Sequence, residues 1–188
     1  ILHVHSSIPT MAPAISIRTE VRIKAPVTEV WIKLIDTSTW PDWNSLVPRA
    51  EISDTPPDSN KTVLALGCRC HFTVMINGTN RPSTQKVTVF DVPEDGHPGP
   101  RIYRITWVID DYPSILFRTE RFNELEEVAG ENGPECIYRT GEDQSGPLAY
   151  VVKMLFGKAV DQGIRAWPNE LKTYIEQKEV SSESRQVE

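Results

Sequence analysis

The stretch PLAYVVKMLFGKAVDQGIRAWPNELKTYIEQ, from Pro147 to Gln177, decides how the rest of the chain is read. Apolar residues recur at Leu148, Val151/Val152, Leu155, Ala159/Val160, Ile164, Trp167, Leu171 and Ile175. Gaps of mostly three or four put such side chains on one face of an α-helix. Pro147 suits the first helical turn, where its missing N–H leaves nothing unsatisfied. At ~1.5 Å per residue the helix would be about 45 Å long. Pro168 removes one backbone hydrogen bond, so a kink is expected near Ile164–Trp167. A one-sided helix of that length needs a broad apolar partner.

The preceding chain supplies strands. Ile15, Ile17, Thr19, Val21 and Ile23 alternate with polar residues, which predicts a half-buried strand over Ala14–Lys24. Pro26 then opens a predicted helix, Val27–Ile35, with Val27, Val30, Trp31 and Leu34 on one face. Asp36-Thr-Ser-Thr starts a short helix or turn that carries Trp40 and Trp43, a large apolar load for a connector and a plug for one end of a core. Strands are predicted over Val47–Ser53, Val63–Ile76 with a break at Gly67, Thr84–Val92, Arg101–Ile109, Ile115–Val128 and Glu135–Asp143. Asn77-Gly78 signals a tight hairpin, and the segments 54–61 and 93–100 read as loops. Strands joined by hairpins form an antiparallel sheet, and helices covering one of its faces make an α+β domain.

The totals set limits. The chain has 188 residues, enough for one domain with a real core. Residues 1–13 read as an N-terminal extension, 14–177 as one domain and 178–188 as a polar tail. The first ten residues lack the basic start and long apolar centre of a signal peptide. No apolar run approaches the ~18 residues of a membrane span. A net charge of −6 argues against a nucleic-acid partner. Three cysteines do not make a disulfide framework, which favours a reducing, cytoplasmic setting. No phosphate loop, dinucleotide fingerprint or nucleophile elbow is present, so no cofactor is expected.

Three segments carry a family resemblance: APVTEVWIKLIDTSTWPDWNSLVPRAEI (Ala25–Ile52), RTERFNELEEV (Arg118–Val128) and YRTGEDQSGPLAYVV (Tyr138–Val152). They resemble the START/birch-pollen-allergen superfamily (SRPBCC), especially its polyketide cyclase/dehydrase-like branch. The resemblance implies a helix-grip fold: a curved antiparallel sheet of about seven strands wrapped around the long C-terminal helix, with two short helices after the first strand. It also implies a mostly apolar cavity between sheet and helix for a hydrophobic small molecule. Walls are then expected from Trp40, Trp43, Phe72, Trp107 and Phe122, and from Leu148, Val152 and Leu155 of the helix.

Candidate chemistry is sparse. Cys68-Arg-Cys70-His71 invites a metal reading, but alternation along a strand sends His71 away from the two cysteines, so no metal is expected and Cys70 reads as core. His71 lines the cavity or lies on the surface, depending on which strand face is concave. Glu120 and Glu142 match positions where the family points polar side chains inward, and a carboxyl in an apolar pocket suits proton transfer. Their alternative is a solvated strand face, with Arg118 and Arg121 as surface ion pairs. Tyr103 could hydrogen-bond a phenol or enolate oxygen, or sit in the core with its hydroxyl at the rim. Three readings follow: a cofactor-independent cyclase, dehydratase or isomerase of a polyketide-like or aromatic substrate, a carrier of a lipid, quinone or other apolar ligand, and a regulatory domain that docks a partner around Trp40–Trp43.

Overall fold

The alternating run from Ile15 forms strand β1 (Ile15–Ile23), with Ile15, Ile17 and Ile23 turned into the core. The computed structural model describes residues 12–55, 60–94, 96, 99–131 and 133–185, with side chains to residue 177. Most of the extension at 1–13, parts of the loops at 54–61 and 93–100, and residues 186–188 of the tail lie outside the described residues, and of 178–185 the backbone alone is described.

Helix α1 (Val27–Ile35) buries Val27, Val30, Trp31 and Leu34, as its spacing predicts. Asp36 ends it and accepts a hydrogen bond from the Ser38 amide, which starts a 3₁₀ turn over Thr37–Asp42. That turn drives Trp40 into the interior, where it is fully buried and donates its indole N–H to the Leu34 carbonyl at 3.1 Å. The remaining strands are β2 (Arg49–Ser53), β3 (Arg69–Ile76), β4 (Thr79–Asp91), β5 (Ile102–Ile109), β6 (Arg118–Gly130) and β7 (Gly133–Ser145). Among the described residues they form one antiparallel sheet in the order β1-β7-β6-β5-β4-β3-β2. Asn77 and Gly78 turn β3 into β4 with φ of 51° and 73°, the left-handed pair that a two-residue hairpin requires. A register shift between Val87 and Val89 bends β4, and such bulges help a sheet curl.

Helix α2 (Pro147–Arg185) packs against β1, β7 and β3. Gly146, at φ 90°, makes the corner before it; a Cβ there would meet the Leu116 carbonyl oxygen at 2.6 Å. The result is the helix-grip fold, with a curved sheet around one long helix. Among the described residues no helix is long and apolar enough to cross a membrane.

Several boundaries differ from expectation. Val63 makes only an isolated bridge to Asp36, and β3 begins after the turn that contains Gly67. β4 begins at Thr79, directly from the hairpin, because pairing with β3 outweighs the weak strand propensity of its first residues. β6 starts at Arg118, leaving Ile115 and Leu116 exposed in the preceding turn. α2 runs through Pro168 and continues to Arg185, past the Gln177 where its apolar spacing stops.

Candidate functional site

A cavity of about 480 Å³ lies between the concave face of the sheet and the first two-thirds of the described part of α2. Strand alternation decides its lining. On β3, Phe72, Val74 and Ile76 face inward while His71 faces out. On β5 the inward row is Tyr103, Ile105, Trp107 and Ile109. From α2 come Val152, Phe156, Val160, Ile164 and Trp167. Exposed lining residues at Asn80–Pro82 and Tyr112 mark the mouth, where the Arg81 guanidinium stacks 4.3 Å from the centre of the Phe156 ring. The blind end rests on an aromatic cluster: Trp40 contacts Trp167 at a ring separation of 5.1 Å and Phe72 at 5.4 Å.

While Ser83 and Gln85 of β4 and Asp111 add polar lining elsewhere, the buried ionisable groups of the cavity come from β6 and β7. Their register places Arg121 opposite Glu142 and Thr119 opposite Gln144, all on the concave face. Arg121 is 3% exposed. One nitrogen, Nη1, lies 4.0 Å from Glu142 Oε2, a charge pair beyond hydrogen-bond distance. Its Nε and Nη2 are buried and make no hydrogen bond among the described residues. The guanidinium stacks over Trp167, 4.6 Å from the ring centre. Tyr138 lies against it but donates its hydroxyl proton to Asn123 Oδ1 at 2.7 Å. Burial pushes the Tyr138 hydroxyl up to about 12, so it stays protonated. Burial also works against the charge on Arg121, lowering its pKa, while Tyr138 and Glu142 oppose that shift. Glu142 Oε1 accepts a hydrogen bond from Gln144 Nε2 at 2.6 Å, and Gln144 Oε1 is buried without a partner among the described residues.

The candidates named from sequence separate into two groups. Glu142, Phe72, Trp107 and Val152 line the cavity. The others do not. His71 is exposed on the outer face of β3, within hydrogen-bond reach of Ser53 and Thr84. Glu120 is on the outer face of β6, paired with Arg118. Phe122 shares that outer face, under the Arg18 guanidinium at 4.9 Å. Tyr103 is core, packed on Trp31 at a ring separation of 5.3 Å, and its hydroxyl accepts from Arg101 at 2.9 Å. Trp40 and Trp43 stand behind the cavity in the aromatic cluster. Leu148 packs in a small cluster with Ala14, Phe117 and Ala149, and Leu155 is 57% exposed on the far side of α2. The cysteines are core: Cys68 and Cys70 lie with their sulfurs 3.7 Å apart. Among the described residues no group of three or more His, Cys, Asp or Glu could hold a metal.

Sequence reasoning missed Arg121, which it read as a surface ion pair. The signal was in β6. Even positions Glu120, Glu124 and Glu126 mark the solvent face, so odd positions Thr119, Arg121, Asn123 and Leu125 face inward. Phe122, the large apolar residue in mid-strand, pointed to the wrong face.

No family model matches the chain. A protein of Penicillium oxalicum (strain 114-2 / CGMCC 5302), named oxopyrrolidines biosynthesis cluster protein O, is 32% identical over 185 residues, covering 90% of this chain and 91% of that protein. Among solved structures, the hypothetical protein jhp0584 from Helicobacter pylori is similar with a TM-score of 0.65 at 20% identity, over 89% of this chain and 90% of its own. A START superfamily protein from Mycobacterium smegmatis matches with a TM-score of 0.57 at 15% identity, over 86% of this chain and 97% of its own. The di-domain ARO/CYC StfQ from the steffimycin biosynthetic pathway matches with a TM-score of 0.52 at 11% identity, over 87% of this chain and 51% of its own. At these identities the three structures show the fold and nothing finer.

Proposed function

Because the chain belongs to the START/birch-pollen-allergen (SRPBCC) superfamily, in one family with the oxopyrrolidines biosynthesis cluster protein O, we propose that it binds a hydrophobic small molecule between the sheet and α2 and acts on it as a cofactor-independent cyclase, dehydratase or isomerase of a polyketide-like or aromatic substrate. The observation that carries this reading is a cavity of about 480 Å³ with apolar walls and one polar end, where Arg121, Glu142 and Gln144 converge. A pocket of that size and make-up suits an organic ligand held by shape and oriented by a few polar groups. The relative's name supports a place in small-molecule biosynthesis. Enclosure holds reacting carbons in near-attack geometry. The Glu142 carboxylate takes a proton from a carbon beside a carbonyl, or returns one to a leaving oxygen.

The carrier reading stands second. It is favoured by the placement of His71, Glu120 and Tyr103 away from the cavity, which leaves Glu142 as the one member of the four proposed acid–base groups that lines it.

Native mass spectrometry of protein purified from its own host, with extraction of the bound molecule, separates the two. The expected result is an aromatic or polyketide-like species whose mass or absorbance changes on standing with the protein. An unchanged lipid or quinone establishes the carrier, and an empty cavity favours the reading in which the Trp40–Trp43 region docks a partner. Glu142→Gln is expected to slow turnover of the extracted species about 10²- to 10⁴-fold with the bound fraction retained. Full turnover by that variant removes Glu142 from the chemistry.

A further inference from the structure

The polar end of the cavity holds a cation that its protein neighbours leave incompletely satisfied. Arg121 keeps its charge, since a guanidinium does not lose its proton in proteins. It is buried, and its Nε and Nη2 make no hydrogen bond among the described residues. The carboxylate facing it stands off at 4.0 Å and has one oxygen committed to Gln144. The Tyr138 oxygen, whose proton goes to Asn123, supports the charge from beside the guanidinium. Trp167 covers one face of the guanidinium plane and holds its orientation. Buried charges are ordinarily both paired and hydrogen-bonded. Nη1, which has only the distant Glu142 contact and is not sealed as Nε and Nη2 are, is the atom through which Arg121 meets the cavity, so the acceptor that completes it is to be sought in whatever fills that cavity.

We propose that Arg121 is the recognition group for an oxyanion on the ligand: a carboxylate, or the planar enolate of a 1,3-dicarbonyl compound, bound at Nη1. This rests on the reading that the cavity takes a hydrophobic small molecule, and adds what one end of that molecule carries. The guanidinium keeps its charge when buried, and stacking on Trp167 fixes the direction of its N–H groups, which a flexible lysine ammonium would not reproduce. Glu142 places a limit on the partner: its carboxylate, 4.0 Å from Nη1, disfavours a second anion beside it and so weakens the binding of the oxyanion. The apolar walls around Val74, Ile109 and Val160 then take the hydrocarbon body.

The test is calorimetric titration of the full chain with 2-naphthylacetate and with its methyl ester, which share ring and shape and differ in charge. At pH 7 the acid is expected to bind about tenfold or more tightly than the ester, the range for a hydrogen-bonded charge. Arg121→Gln is expected to erase that preference, and Arg121→Lys to keep part of it. Glu142→Gln, which removes the competing carboxylate, is expected to tighten the acid and leave the ester unchanged. Equal binding of acid and ester by the unaltered protein overturns anion recognition while the cavity reading stands; binding of neither overturns both. A preference that survives in Arg121→Gln shifts the anchor to Arg81 at the mouth and equally overturns the proposal. If Arg121→Gln fails to fold by circular dichroism, the acid–ester comparison and Glu142→Gln decide.

Discussion

The two halves of α2 read alike in sequence and behave differently in the structure. In the C-terminal half Val160, Ile164, Trp167, Leu171 and Ile175 are all buried. In the N-terminal half Val152 and Phe156 are half-buried along the cavity, while Tyr150, Val151, Met154 and Leu155 are exposed. The difference lies in what faces each half. Leu46, Trp40 and Trp43 close over the C-terminal half, and Leu46 approaches so closely that a Cβ on Gly163 would meet its Cδ1 at 2.6 Å. The first turns of the helix have no such cover and face the cavity, which Val160, Ile164 and Trp167 also border from beneath that cover. Periodicity therefore says which helix face can be covered, and the opposing elements say whether it is filled.

Three substitutions test that contrast. Leu171→Ala, in the filled half, is expected to cost about 2–5 kcal/mol of stability, read from denaturant unfolding. A loss below about 1 kcal/mol would mean that this half is not close-packed. Phe156→Ala, along the cavity, is expected to cost only about 1 kcal/mol, because its ring already borders open space on one side. It should enlarge the cavity, so that a bulkier naphthyl ester binds better to the variant than to the unaltered protein. Leu155→Ser, on the exposed side, is expected to fall within about 0.5 kcal/mol of the starting stability. A larger loss there would show that this side of the helix is covered in solution.

The outer and inner faces of β6 make the same point for the site. The outer face carries exposed ion pairs such as Arg104–Glu124 at 2.8 Å, and the neighbouring Arg139–Glu126 pair lies at 2.7 Å. Exposed pairs of this kind contribute about 0–1 kcal/mol each. One residue along, Arg121 is buried against Trp167. Glu120 and Arg121 are neighbours of opposite charge with opposite fates, because successive strand residues point to opposite faces. Reading both as exchangeable surface charges lost that distinction. His71 and Phe72 on β3 repeat it, with the histidine outside and the phenylalanine in the cavity wall.

The elements themselves were legible. Hydrophobic spacing located α1, α2 and most strands, and Asn77-Gly78 located a hairpin, since these are local consequences of backbone geometry and side-chain period. Ends were less legible where pairing across strands overrode local propensity, as at Thr79, or where apolar residues sat in a turn, as at Ile115. Spacing by itself thus determined an α+β domain with apolar material reserved for a sheet–helix interior, and the family resemblance of three segments implied that the sheet grips the long helix. Only the tertiary structure decided which side of each strand is concave. A strand's alternation is symmetric between its two faces, and the side that the helix occupies breaks the symmetry. That choice took Glu120, His71 and Phe122 to the outside and brought Arg121, Glu142 and Gln144 together at one end of the cavity.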